Sequence, residues 1–586
     1  MARRGLAIIF TLLGVAVVVS IAGFLFLYLL VGREPHVPRD ATLVLRVGGE
    51  LSEVAPADVV GYLRGVRTPT VRSIVEDLRK AKVDPRIKGV MLKPTGFESP
   101  FWGKVQEIRD AVLDFKKSGK PIYAYLEYGG DREYYLATAA DKVFLMPSTS
   151  LDLQGVATYE LFLRGTFDKI GAVPDLHHIG EYKTATNTFT EKGFTEAHRE
   201  MDESMNRDLY EQIVRDIGDS RRKSEPEMRQ LIDEGPFLPE AALASGLVDD
   251  IVYEDEVTDL LGGDRTQLDD EDYARVSAAS LGLNRGPRIA VIYIAGAIAS
   301  GRNGYDPLNG AIVGSDTLIE HIRQARRDPS VRAIVLRIDS PGGSSVASDA
   351  VWRELMITKR ERADRPLIAS MSDLAASGGY YVAMPADVIV AQPSTLTGSI
   401  GIYGGKIVTG GVYEKLGANI DVTSIGRHAE INSPQRPYNA EELKKLEEAL
   451  QAFYDQFVEK VAESRHSTPE KIDALAQGRV WTGRQAKQNG LVDQLGGLDT
   501  AIAVAKQRAN IPLDSDVQIV VYPPRKSFYE IVSAEFGGAG ESAAVSTWIS
   551  ENLSRGERDV LRTMRGPFSM FRRGEPLALM PFTFLR

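Results

Sequence analysis

The chain has 586 residues, 70 Lys+Arg against 80 Asp+Glu, and a formal net charge of −10. With 43% apolar and 26% charged residues it has globular composition and ample chain for a sizeable core, which excludes a disordered or low-complexity protein. The acidic balance argues against nucleic acid as a partner, and the absence of cysteine removes thiol nucleophiles, disulfides, thiolate zinc sites and iron–sulfur clusters.

Residues 6–31 form a 26-residue run without a charge. As a helix it would reach roughly 39 Å, enough to cross a bilayer with some tilt. A cleaved signal peptide is the rival reading, because Ser20-Ile21-Ala22 is a small-x-small site. Its apolar core would then stop there, whereas Phe24-Leu25-Phe26-Leu27-Tyr28-Leu29-Leu30 continues it. Residues 1–33 therefore read as a single uncleaved transmembrane anchor. Arg3, Arg4 and the amino terminus favour a cytoplasmic N-terminus, with the remainder of the chain outside.

The rest of the chain contains itself twice. The stretch from Glu133 through Tyr134-Tyr135-Leu136-Ala137 to Asp141 matches that from Gly379 through Tyr380-Tyr381-Val382-Ala383 to Asp387, and Pro147-Ser148-Thr149 matches Pro393-Ser394-Thr395, both at an offset of 246 residues. Asp84-Pro85-Arg86-Ile87 matches Asp328-Pro329-Ser330-Val331, and Gly246-Leu247-Val248-Asp249 matches Gly490-Leu491-Val492-Asp493, at an offset of 244. So long a period makes each copy a whole domain rather than a solenoid unit. The copies fall at residues 40–262 and 287–515. Residues 263–286 between them are polar and acidic and read as a linker, and residues 523–586 form a tail whose ending, Pro576-Leu577-Ala578-Leu579-Met580-Pro581, is expected to dock on the body.

Within the second copy, apolar runs at 289–294, 333–338, 367–371 and 388–390 have the short, continuous character of buried parallel strands. Helical spacing appears at 315–327, 347–359, 440–463 and 483–489. Alternating strands and helices predict α/β architecture. The 440–463 helix, with Leu443, Leu446, Leu450, Phe453 and Phe457 on one face, is suited to packing on another subunit or copy.

Chemistry is expected where the copies disagree, since packing alone would keep them alike. In the second copy a strand leads into Ala375-Ala376-Ser377-Gly378-Gly379 at the mouth of a helix, a turn that exposes a nucleophilic hydroxyl with free backbone N–H groups behind it. The first copy has Asp131 there. The turn Asp339-Ser340-Pro341-Gly342-Gly343 offers further N–H groups for an oxyanion hole. Its counterpart, Pro94-Thr95-Gly96-Phe97-Glu98, lacks the glycine pair. None of the seven histidines lies in a recognisable triad or metal motif. The repeat supplies a different base: Ile179-Gly180-Glu181-Tyr182-Lys183 aligns with Ile425-Gly426-Arg427-His428-Ala429, so one copy holds a lysine without the serine and the other a serine without the lysine. A buried, neutral Lys183 can take the proton of Ser377 with neither metal nor cofactor. His428 is the rival base. Thr397 and Ser399 are rival hydroxyls, or groups that orient the lysine.

These motifs, with Pro393-Ser394-Thr395-Leu396-Thr397-Gly398-Ser399-Ile400-Gly401, resemble the long, duplicated form of the signal peptide peptidase A family, membrane-anchored serine proteases of bacteria. The resemblance implies two tandem domains of the fold shared by caseinolytic protease and the crotonases, behind a transmembrane helix in the cytoplasmic membrane with the bulk on the periplasmic side. It further implies a homotetramer shaped as a bowl, remnant signal peptides as substrates, Ser377 as nucleophile and Lys183 as general base. By analogy with the fold, the amides of Gly378 and of Gly342 or Gly343 would hold the oxyanion. Glu181, two residues from the base, departs from this picture unless it points away, since a close carboxylate would raise the lysine pKa. A crotonase-like acyl-CoA enzyme and a non-catalytic membrane scaffold are the alternatives.

Overall fold

Two sheets, one for each repeat, carry the fold, the front one parallel throughout and the rear one parallel except for an antiparallel edge strand, Val480–Thr482. The computed structural model describes residues 14–15, 35–54, 69–263, 265–306, 310–524, 570–571, 574–580 and 584–585. The expected anchor at 6–31 lies outside these, apart from residues 14–15. Among the described residues no helix is long and apolar enough to cross a membrane.

In the front repeat the elements are β1 (Ala41–Gly49), α1 (Val71–Val83), β2 (Ile87–Phe97), α2 (Gly103–Lys116), β3 (Ile122–Leu126), α3 (Asp131–Ala137), β4 (Lys142–Leu145), β5 (Thr158–Tyr159), β6 (Val173–Ile179), α4 (Glu196–Arg221), β7 (Asp250–Ile251) and β8 (Gln267–Asp269). The sheet order is β8-β1-β2-β3-β4-β7, parallel throughout. Helices cover both faces, so residues from both faces of the strands, such as Leu43, Val44, Val90, Met91 and Ala124, are buried. Thr70 starts α1 as a reciprocal cap with Ser73.

The acidic stretch 263–286, read as a linker, is built into this sheet. β8 pairs with β1, and Tyr273 is fully buried while its carbonyl accepts from Lys80 Nζ at 2.9 Å. Charged residues alternating with Leu268 and Tyr273 at an exposed sheet edge look like a tether because only one side of the segment needs to be apolar.

The rear repeat contains β9 (Arg288–Ala295), β10 (Ala297–Ala299), α5 (Ser315–Arg327), β11 (Val331–Ser340), β12 (Gly342–Ser344), α6 (Ser345–Glu361), β13 (Leu367–Ala376), α7 (Gly378–Ala383), β14 (Val388–Ala391), β15 (Leu396–Gly398), β16 (Ile402–Val408), α8 (Ala440–Ser464), β17 (Val480–Thr482), α9 (Gly483–Asn489), β18 (Gln494–Leu495) and β19 (Gln518–Tyr522). Its sheet runs β17-β15-β13-β11-β9-β19, with β14 and β18 continuing beside the first part of β13. The duplication extends to single hydrogen bonds. Tyr134 Oη donates to Leu247 O at 2.6 Å and Tyr380 Oη to Leu491 O at 2.9 Å. Asp249 accepts from Val143 N at 2.7 Å and Asp493 from Ile389 N at 2.8 Å.

The repeats are joined in two ways. A third sheet is shared: β10, β12, β20 (Leu577–Leu579, from the tail), β16 and then β6 of the front repeat. β6 and β16 are antiparallel from Ile179↔Ile402 to Val173↔Val408. Beneath it, α2 of the front repeat meets β11 and β13 through buried charge. Arg337 donates to Glu53 Oε1 and Glu107 Oε2, both at 2.7 Å. Lys104 Nζ lies 2.7 Å from Asp339 Oδ2 and 3.3 Å from Asp373 Oδ2. Such pairs add little over an apolar contact, but removing one partner leaves a buried charge and costs about 3–5 kcal/mol, so they hold the relative register of the repeats.

Candidate active site

Ser377 is the single residue between β13 and α7. Its backbone takes φ 56°, ψ −114°, an unfavourable conformation for a residue with a side chain. Bonds on both sides hold it there: Ser377 N donates to Gly398 O at 2.7 Å and Tyr381 N to Ser377 O at 2.9 Å. The turn puts Oγ at the carboxyl end of the sheet and at the amino end of a helix.

Lys183 arrives from the other repeat. Because β6 pairs with β16, the chain leaving Ile179 is laid over the loop after α8, where Tyr182 N donates to Gln477 O at 2.7 Å. Three glycines allow the approach. A β-carbon on Gly180 would lie 2.4 Å from the Gln477 carbonyl carbon. One on Gly478 would lie 2.5 Å from Lys183 Cα, and one on Gly401 would lie 3.1 Å from Lys183 Cδ. Lys183 is fully buried, with Nζ 2.8 Å from Ser377 Oγ, 3.0 Å from Ser399 Oγ and 3.1 Å from Ser399 O.

Burial, with no carboxylate to offset it, holds the Lys183 pKa well below that of an ordinary lysine. Glu181 is exposed and supplies no such offset. The neutral amine has two N–H groups and one lone pair. With both hydrogens donated to Ser399, to Oγ and to the carbonyl, the lone pair is left facing the Ser377 hydroxyl. Ser399 thus orients the lysine, one of the two roles open to it from sequence. Thr397 does not, since its hydroxyl donates to Ala375 O at 2.8 Å. His428 faces Glu441, 3.6 Å away.

The glycine turn lies where the sequence placed it. A β-carbon built on Gly378 would meet Gly343 N at 3.0 Å, and one on Gly342 would meet Gly378 N at 2.7 Å. The amides of Gly343 and Gly378 therefore border one small space beside Ser377. Gly342 N donates instead to Ser340 Oγ at 3.2 Å. In the front repeat the equivalent Asp131 accepts from Gln154 N and Gly155 N, at 2.8 and 3.1 Å, and has become a loop anchor. Ala429, opposite Lys183 in the repeat alignment, is exposed.

The tail completes the site. β20 lies antiparallel to β12, with Gly343↔Ala578, and also pairs with β16. Ser345 N donates to Pro576 O at 3.3 Å and Met580 N to Pro341 O at 2.8 Å. Leu577 and Leu579 pack with Ala185 and Tyr403. Met580 enters a cluster of Met201, Met205, Leu209, Ala376 and Leu374. An extended apolar segment thus lies across the glycine turn, with Ala578 O 3.2 Å from the position a Gly378 β-carbon would take.

An α/β fold presenting a strained serine against a buried lysine and a glycine turn has the constitution of a serine hydrolase. Residues 114–266 and 359–512 match peptidase family S49. The chain is 38% identical over 509 residues to "Serine protease SPPA, chloroplastic" of Arabidopsis thaliana, covering 85% of this chain and 74% of that protein. It is 36% identical over 454 residues to "Protease 4" of Salmonella typhi (75% and 72%) and 30% identical over 508 residues to "Protease 4" of Haemophilus influenzae (82% and 81%). The chain belongs to peptidase family S49. It is a serine protease, and the acyl-CoA enzyme and the inert scaffold fall away as readings.

Sequence reasoning missed Gly478 and Lys104, and it had Gly401 only as the last residue of a motif, with no role. The part both glycines play leaves no chemical signal, because it is the absence of a side chain where Lys183 passes. Lys104 is one lysine among many until the fold sets it between the buried Asp373 and the part-buried Asp339.

Proposed function

We propose that the chain is an endopeptidase of the signal peptide peptidase type, working through a Ser377–Lys183 dyad assembled from its two repeats. The observation that carries this reading is the 2.8 Å contact between Lys183 Nζ and Ser377 Oγ in a fully buried setting.

Ser377 Oγ attacks the peptide carbonyl carbon as its proton passes to the Lys183 lone pair. The oxyanion is held by the amides of Gly378 and Gly343. The bond that Gly342 N already makes to Ser340 favours Gly343 as the second donor. On collapse the C–N bond breaks and Lys183 returns the proton to the leaving amine. A water then attacks the acyl ester while giving a proton to Lys183, which passes it back to Ser377 as the ester opens.

Substrates are extended, apolar peptides, with remnant signal peptides the class expected of the family. The apolar cluster around Met201, Met205 and Leu374, with the β12 edge that the tail strand β20 covers and a substrate strand would take in its place, suits them. The finer fold assignment, to the caseinolytic-protease and crotonase type, rests on the sequence resemblance, as does a homotetramer. Anchoring by residues 6–31 in the bacterial cytoplasmic membrane, with the bulk outside, rests on the apolar run and on Arg3 and Arg4.

The test is labelling with a serine-directed peptidyl phosphonate, read by mass spectrometry. The adduct is expected on Ser377, with Ser377→Ala and Lys183→Ala each losing hydrolysis by at least about 10³-fold while remaining folded. An adduct elsewhere, or full activity in either variant, would overturn the dyad.

A further inference from the structure

We propose that the front repeat holds a structural divalent metal ion, of the zinc class, bound by His198, Asp202 and Glu160. Nothing in the proteolytic chemistry calls for these residues.

His198 and Asp202 stand one turn apart on α4, on one face of the helix, while Glu160 directly follows β5. One ligand atom from each lies within 4.8 Å of the other two. His198 is 2% exposed and Asp202 5%. Neither nitrogen of the imidazole and neither oxygen of the Asp202 carboxylate has a hydrogen-bond partner. The nearest approach between them, 3.8 Å from His198 Nε2 to Asp202 Oδ2, is too long for a hydrogen bond. Two phenyl rings in contact with each other cover the histidine: the centroids of Phe162 and Phe194 lie 5.9 and 5.0 Å from that of the imidazole and 5.3 Å apart.

Four polar atoms buried among aromatic rings without a partner are costly. Each such group forfeits about 1–3 kcal/mol of desolvation, and native proteins leave very few of them. A mutual ion pair does not resolve the cost. At 3.8 Å the two side chains share no hydrogen bond, and neither finds another partner, so the carboxylate has no cation in contact with it. A divalent ion supplies one from outside, and neutral imidazole with carboxylate is a donor set zinc accepts. Metal–ligand bonds of about 2.0–2.2 Å put ligand atoms roughly 3–4 Å apart, a closure within reach of small side-chain rotations. Glu160 is half-buried and leaves an entry to the site.

The placement suggests the consequence. Further along the same face, α4 sends Met205 and Leu209, with Met201 beside them, into the apolar cluster next to Ala376 and Met580. Glu200 accepts from Tyr182 Oη at 2.7 Å, next to Lys183. An ion here would tie the β5 strand to the first turns of the helix that walls the peptide cleft. The His198-x-x-x-Asp202 spacing was visible in the sequence, but Glu160 is supplied by the fold, which is why no metal motif was recognised.

The full-length protein, stripped with chelator and dialysed, is titrated with Zn²⁺ under calorimetry, and the bound metal is counted by elemental analysis. One equivalent per chain is expected, with Co²⁺ in its place giving the visible d–d bands of a four- or five-coordinate site, and with the melting temperature rising as free Zn²⁺ rises. Asp202→Asn, nearly isosteric, and His198→Gln are each expected to lose the equivalent and the bands while Ser377 still takes the phosphonate label. Binding that is unchanged in Asp202→Asn, or no saturable binding to the wild type, overturns the proposal. Should a variant fail to fold, X-ray absorption of the zinc-loaded wild type decides. One imidazole with oxygen neighbours supports the site, whereas several imidazoles, or oxygen alone, refute it. None of these outcomes depends on the protease assignment, which the labelling tests separately.

Discussion

Gly478 stands against Lys183 so closely that a β-carbon on it would fall 2.5 Å from the lysine's Cα, Cβ and backbone N, and it does so at φ +78°. The rear repeat thus leaves a gap the width of one methyl group through which the front repeat delivers its amine. Backbone cannot move aside as a side-chain tip can. Gly478→Ala is therefore expected to displace Lys183 and lower kcat by about 10²-fold, with roughly 1–2 kcal/mol lost for the left-handed backbone. Steady-state kinetics and urea melts on the same preparation check both.

The depressed Lys183 pKa makes two pH predictions. Since only the free amine accepts the serine proton, kcat/KM should rise with pH along an acid limb and then level. Stability follows the same group. Between the native pKa and the ordinary lysine value, the unfolded chain binds a proton the native chain does not. Stability attributable to Lys183 therefore increases with pH in that window, by about 1.4 kcal/mol per unit. Lys183→Met, which fills the space without a titrating group, should be inactive, more stable than wild type near neutrality, and free of that slope. Melts from neutral to alkaline pH measure it.

Ser399 offers both its hydroxyl and its carbonyl to Lys183 Nζ. Ser399→Ala removes one acceptor and lets the amine turn its lone pair away from Ser377. A fall in kcat of about 10–100-fold is expected with KM little changed, because the hydroxyl holds the base and not the peptide. A change confined to KM would contradict this arrangement.

Lys104 links the repeats directly behind the chemistry: Asp339 opens the glycine turn, and Asp373 lies on β13, four residues before Ser377. Lys104→Met should lower stability by about 3–5 kcal/mol at neutral pH and reduce kcat. Burial already raises the Asp339 pKa, and without the ammonium it would be held further above its unfolded value. The native state then binds the extra proton, so the loss should shrink as pH falls. Melting temperatures at pH 5 and pH 8 give the comparison.

The strand Leu577–Leu579 occupies the edge of β12 that an extended substrate would need. A chain ending at residue 574 should therefore bind unfolded apolar peptides more tightly, seen as a several-fold lower KM. The free hexapeptide Pro-Leu-Ala-Leu-Met-Pro should inhibit it competitively. Non-competitive inhibition, or none, would mean that the substrate lies elsewhere.

The duplication was legible because the two copies share the same packing demands. Gly246-Leu247-Val248-Asp249 and Gly490-Leu491-Val492-Asp493 match because each leucine carbonyl receives a tyrosine and each aspartate caps a strand. The strand expected at 333–338 is the centre of β11, and the helix expected at 440–463 is α8 to within one residue. The proposed dyad was suggested for the opposite reason: the copies differ at these two positions, with Asp131 opposite Ser377 and Ala429 opposite Lys183.

By itself the sequence singled out Ser377 and Lys183, one from each half, as the pair proposed for the chemistry, since residue types and their repeat positions are local facts. Whether those halves meet was decided only in three dimensions, by the pairing of Val173–Ile179 with Ile402–Val408, by glycines that yield space to a lysine, and by a tail strand added across the turn. Backbone pairing between distant segments, and the burial that lowers a lysine's pKa, depend on neighbours hundreds of residues away, and such neighbours leave little trace in the local order of amino acids.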